Sequence, residues 1–145
     1  MTKDVALTIQ GFHMLDGVWQ EPVVTSARGK YIFRSGHHFV SYEEHLPEGV
    51  VKGLLKWNEN GLAVSKKGAV TSSLELTEGK RISTSYATEA GALEFETLTR
   101  SVSLQEGEDR LELEARYVLY ARGGDEPLQE SRIVIQVEEG CKSDE

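Results

Sequence analysis

Between short polar breaks, apolar and polar residues of this chain alternate with a period of two. Val5, Leu7 and Ile9 alternate with Ala6, Thr8 and Gln10, and Leu74 and Leu76 with Ser73, Glu75 and Thr77. Ile82, Thr84 and Tyr86 alternate with Arg81, Ser83 and Ser85, and Ile133, Ile135 and Val137 with Arg132, Val134 and Gln136. Successive side chains of a strand point to opposite faces, so each segment offers one face to a core and one to water. Asp16-Gly17 and Asn60-Gly61 supply residues that tolerate positive φ and predict type I′ hairpin turns. Further breaks fall at Ser35-Gly36, Leu46 to Gly49, Lys67-Gly68, Glu78 to Lys80, Ala90-Gly91, Glu106 to Asp109, and Gly123 to Asp125. Nine breaks predict about ten strands.

Asp109 to Ala121 fits two patterns. Asp109 with Glu112 mimics a helix capping box, and Leu111, Ala115, Val118 and Leu119 would share a helical face. As a strand, the segment places Leu111, Leu113, Ala115, Tyr117, Leu119 and Ala121 on one face. A lone helix would leave neighbouring strands unpaired, so a strand is expected. An open sheet of about ten strands tends to curl or split, and closure removes its edges. The short connections favour an up-and-down order. The expected fold is therefore all-β, a closed antiparallel up-and-down barrel of the lipocalin-like (calycin) kind, with a β-sandwich as the alternative.

At 145 residues the chain is of single-domain size. Residues 1–139 are expected to form one barrel domain and 140–145 a flexible acidic tail. Cys141 is the sole cysteine, which excludes an internal disulfide and a Cys-rich metal site and suits a reducing cytosol. Thr8 and Gln10 interrupt the only apolar stretch near the N-terminus, so no signal peptide or membrane span is expected, and the location is expected to be cytoplasmic. The 24 acidic and 16 basic residues give a net charge of -8. Scattered Lys and Arg in such a field argue against a nucleic-acid partner.

Ser41-Tyr42-Glu43-Glu44-His45 is the densest polar cluster on an expected strand. Alternation groups Phe39, Ser41, Glu43 and His45 on one face and Val40, Tyr42 and Glu44 on the other, so one carboxylate should point inward. A buried carboxylate needs a partner, and Arg28, Arg34, Lys56 and Lys67 are the cations considered. Such a group would be a ligand anchor or a general base, or else a structural ion pair. His37, Glu43 and His45 could share a face, but exposed strand-end histidines explain them better than a metal site, and no metal or cofactor is expected. Neither a nucleophile elbow nor a phosphate loop is present. Thr84, Tyr86 and Thr88, joined by Thr97, Thr99 and Tyr117, would give the lumen a hydroxyl-lined end, with Trp19 and Trp57 to gate or line it. The alternative is a lumen filled by its own side chains.

Three blocks, Tyr31 to Glu44 with its Ser41-Tyr42-Glu43-Glu44, Lys67 to Val70, and Tyr86 to Glu94, resemble the bacterial YwiB-like family in order and spacing from about Val5 to Val137. The resemblance implies a calycin-like β-barrel in a cytosolic bacterial protein and no established activity. The functional expectation is a non-enzymatic barrel binding a small, partly apolar ligand, neutral or cationic, through Arg28, Tyr42, Glu43, Glu44 and Tyr86. An interaction module with a filled barrel, such as a homodimer, and a small acid–base enzyme using Glu43 or Glu44 are the alternatives.

Overall fold

Residues 3–88 and 91–139 are described by the computed structural model, with the side chain of Thr88 excepted. They form strands β1 (Lys3–Leu15), β2 (Val18–Trp19), β3 (Val23–Arg34), β4 (His37–Leu46), β5 (Gly49–Asn58) and β6 (Gly61–Gly68). The chain continues through β7 (Thr71–Thr77), β8 (Arg81–Thr88), β9 (Gly91–Glu106), β10 (Arg110–Ala121) and β11 (Pro127–Glu139). The two-residue β2 pairs only with β1. The other ten follow one another around a single antiparallel sheet, and β11 returns to β1. The fold is thus the expected all-β, closed, up-and-down barrel. Among the described residues none of these ten strands leaves the sequential order, so no sandwich forms. The ambiguous segment is β10, laddered on both sides by β9 and β11; a helix there would orphan both neighbours' backbone groups.

Alternation becomes burial on closure. Leu7, Leu55, Trp57, Leu76, Leu113 and Ile135 are the large apolar side chains removed from water most completely, each worth roughly 1.5–3 kcal/mol. The pattern fails locally on the last two strands. Val134 is buried together with Ile133 and Ile135, and Val118 is buried although it lies off the expected inward row of β10. Near it the β9–β10 register shifts between Arg116 and Tyr117. Ala121, expected on the inward row, is exposed at the strand's end.

Asp16 and Gly17 adopt φ of 51° and 78°, as the type I′ turn requires. The Asn60-Gly61 turn is corrected by the structure: the connection is Glu59-Asn60, and Gly61 is the first residue of β6. The Asn58 side-chain oxygen accepts hydrogen bonds from the N–H groups of Asn60 (2.8 Å) and Gly61 (3.1 Å), so the bend is held by an Asx interaction rather than by positive φ. Gly61 is needed for another reason, since a Cβ there would stand 2.6 Å from the Leu76 carbonyl oxygen. The expected break at Ala90 and the acidic tail at 140–145 lie outside the described residues.

The ladder is incomplete at two seams. Strands β7 and β8 pair only through Thr71, Ser72 and Ser73. Where they diverge, the buried Thr97 of β9 directs its hydroxyl at the carbonyls of Glu75 (3.3 Å) and Ile82 (3.4 Å). The Gly79 N–H donates to the Thr99 carbonyl at 2.8 Å, so β9 closes this seam from within. The β3–β4 ladder stops at Gly29 and Tyr42. Replacement of Thr97 by Val removes the seam's hydroxyl while keeping its volume. A loss of about 1 kcal/mol is expected in denaturant unfolding, with faster amide exchange in the diverging halves of β7 and β8.

Candidate functional site

Beyond Gly29, β3 is bonded only to β1 and β4 only to β5. The separated halves border a cleft of about 1200 Å³, reached by Thr25 to Arg28 on one side and Tyr42 to Leu46 on the other. Both inward-facing and outward-facing residues line it, so the cleft cuts through the barrel wall.

Four of the five expected site residues, Arg28, Tyr42, Glu43 and Glu44, line this cleft. Tyr86 does not. It lies opposite Ser72 in the short β7–β8 ladder and is 46% exposed. Glu44 shares the inward face with Val40 and Tyr42, and its side chain is only 16% exposed. Its partner is Lys66, 3.3 Å away on β6, and not Arg28, Arg34, Lys56 or Lys67. Strand registers explain this correction: Tyr42 lies opposite Gly53, and Gly53 opposite Lys66. The lysine therefore reaches Glu44 across a glycine. Glu43 points outward, 3.7 Å from His45 and paired in register with Lys52.

Tyr42 forms the floor. Its ring occupies space that Gly53 leaves: a Cβ at Gly53 would lie 2.3 Å from the ring. Although Tyr42 is 4% exposed, its hydroxyl has no hydrogen-bond partner among the described residues. Burial, and secondarily the Glu44 carboxylate, push its pKa up to about 12. The phenol accordingly stays protonated at neutral pH and can donate a hydrogen bond.

Other expectations are redistributed. Thr84, Thr97 and Thr99 do not line the cleft; Thr97 and Thr99 are buried, and the Thr88 side chain lies outside the described residues. Trp57, expected to gate or line a lumen, is a core residue, while Trp19 sits partly exposed on β2. His37 is separated from Glu43 and His45 by the length of β4 and accepts a hydrogen bond from Asn58 at 3.2 Å. Among the described residues no group of three His, Cys, Asp or Glu is placed to hold a metal ion.

His38, unlike the exposed His45 on the same strand, is buried, at 7% exposure. Its ring stacks on Trp57 with centroids 5.3 Å apart. Its Nδ1 lies 2.7 Å from the Tyr31 hydroxyl and its Nε2 3.2 Å from a Glu106 carboxylate oxygen. An ionised Glu106 accepts the Nε2–H, which leaves Nδ1 to accept the Tyr31 proton. The signal was present in the sequence, because His38 is in phase with the inward Val40 and Tyr42. Its place beside the Ser35-Gly36 turn hid it.

Two outcomes test these arrangements. Replacement of Lys66 by Met should cost about 1–2 kcal/mol, because an unpaired carboxylate stays inside, and adding Glu44→Gln should recover part of that loss; denaturant titrations of the single and double variants measure the coupling. Burial lowers the His38 pKa below its ordinary 6.5, with Glu106 opposing the shift. The unfolded chain then takes up the proton first as pH falls, so stability present above about pH 6.5 is lost below it. Melting temperatures should drop through that window in the wild type, and the drop should shrink in His38→Gln.

Comparison with known proteins agrees with this architecture. The chain is 26% identical over 121 residues to the uncharacterized β-barrel protein YwiB of Bacillus subtilis strain 168, covering 83% of this chain and 84% of that one. The crystal structure of the ywiB protein from Bacillus subtilis superposes with a TM-score of 0.80 at 22% identity, covering 96% of this chain and 93% of that chain, a likeness of fold. A family model described as a domain of unknown function, DUF1934, matches residues 7–135. Since that match spans nearly the whole barrel, the chain belongs to the DUF1934 family.

Proposed function

We propose that the protein is a non-enzymatic binding barrel that takes a small, partly apolar ligand, neutral or cationic, into the β3–β4 cleft. The observation that supports this best is the Tyr42 hydroxyl, buried without a partner on the cleft floor. An unsatisfied buried donor costs about 1–3 kcal/mol, and a ligand acceptor placed there would offset that cost. Beside it Ala27 supplies a small apolar wall, while the Tyr42 ring fills the space next to Gly53. Arg28 and Glu43 at the rim bear opposite charges, and Glu44 is already neutralised by Lys66. Polar and charged side chains line much of the cleft, with Val24, Ala27 and Leu46 as its apolar members, a mixture that suits a ligand only partly apolar. With this reading go the lipocalin-like comparison and the cytoplasmic location expected from the sequence.

An interaction module is the second reading. It is favoured by exposed Leu15, Val18 and Val23 around the β2 hairpin, an apolar grouping of the kind that marks contact surfaces. An acid–base enzyme has less support, because Glu44 is held by Lys66 and Glu43 lies at the rim.

Native mass spectrometry of gently purified protein tests the proposal. The wild type is expected to retain a non-covalent small molecule. Tyr42→Phe should keep or slightly raise the melting temperature and lose most of that occupancy. A bare wild-type mass, or equal occupancy in the variant, would count against the site.

A further inference from the structure

We infer that the ligand class of this cleft is a short peptide in extended conformation, added as a strand between β3 and β4. The inference rests on the reading of the cleft as a ligand site and goes beyond it in naming what fits. The unpaired edge of β3 runs from Val23 to Arg28 and that of β4 from Glu43 to Leu46. If the ladder continued past Gly29 and Tyr42, Arg28, Ala27, Ser26 and Thr25 would face Glu43, Glu44, His45 and Leu46, yet none of these pairs forms. Four residues of each edge lie opposite one another across the same cleft. Along a strand, alternate residues aim their N–H and C=O groups at one neighbour, so both edges present backbone donors and acceptors into the gap. Such edges are templates for another strand.

The two seams of the barrel are treated differently. At β7–β8 the Thr97 hydroxyl and the Gly79-to-Thr99 hydrogen bond span the divergence. At β3–β4, among the described residues, no hydrogen bond or ion pair joins the diverging halves. An apolar molecule filling this space would leave both edges without partners; a peptide backbone matches them group for group. Four residues of strand extend about 13 Å. Because β3 and β4 are antiparallel, the added strand runs antiparallel to one and parallel to the other, and both ladder types are stable.

The side chains narrow the peptide further. Residues pointing inward would meet Ala27 and the Tyr42 ring, which fills the space beside Gly53, so small side chains are favoured, and a peptide carbonyl or hydroxyl can accept the Tyr42 proton. Residues pointing outward would lie beside Arg28 and Glu43, so either charge can be accommodated there.

The test uses the full chain and a mixed-sequence pool of capped tetrapeptides screened by native mass spectrometry. Each binder is then compared with its N-methylated counterpart, which keeps the side chains and removes alternate N–H donors. The expected result is binding of peptides with small inward residues, at least tenfold weaker binding after N-methylation, and slowed amide exchange at residues 25–28 and 43–46. Equal binding of the N-methylated forms would overturn the strand-addition mode. No peptide binder from the pool, with a non-peptide molecule retained in the wild type and lost in Tyr42→Phe, would overturn the peptide class and leave the ligand site standing. Neither peptide nor retained molecule would overturn both.

Discussion

Nine consecutive residue pairs join β1 to β11, from Val5 opposite Glu139 to His13 opposite Ser131. Closing the sheet this way requires every inward side chain to fit inside one circumference, and the rest of the structure follows from that limit. The ring that passes through Val5, Gly29, Tyr42, Gly53 and Lys66 shows it most directly. Tyr42 can lie across the interior because its neighbour Gly53 leaves space for the ring, and a Cβ at Gly29 would meet the Ser41 carbonyl oxygen and Val40 at 2.8 Å. That substitution pattern brings Tyr42 and Lys66 close enough to Glu44 to make one polar floor.

Closure also sets the two ends of the barrel apart. At the end holding the Ser35-Gly36 and Glu59-Asn60 turns, the interior is occupied by Trp57, His38 and Tyr31, stacked and hydrogen-bonded. At the opposite end the strands separate, and the wall opens between β3 and β4. A filled end and an open one in the same barrel reconcile the two expectations for the lumen, since side chains occupy part of it and a cleft enters the rest.

Buried polar groups are handled in three ways. His38 is satisfied on both nitrogens. Thr97 spends its hydroxyl on carbonyls that the seam would otherwise leave without strand partners. The Tyr42 hydroxyl is buried without a partner among the described residues, as are Trp57 Nε1, Thr84 Oγ1 and Thr99 Oγ1. Native structures rarely leave such groups unmatched without a reason in function or strain, and of these side chains Tyr42 is the one that borders the cleft, which is why the cleft is the site proposed for a ligand.

Local alternation and turn residues determined the fold by themselves. Period-two patterning states which face of each strand is apolar, and Asp16-Gly17 and Ser35-Gly36 state where the chain reverses, because both depend on the geometry of a few adjacent residues. The same parity placed Glu44 with Tyr42 and set both apart from Glu43. What parity could not supply was distance between strands. Lys66 as the partner of Glu44, Gly61 as a close-approach residue rather than a turn residue, and the burial of His38 depend on registers that exist only once the sheet has closed. The cleft is the clearest case. Arg28 and Glu44 lie on strands whose ladder is complete near the Ser35-Gly36 turn and absent farther on, and no residue along either strand announces where pairing stops.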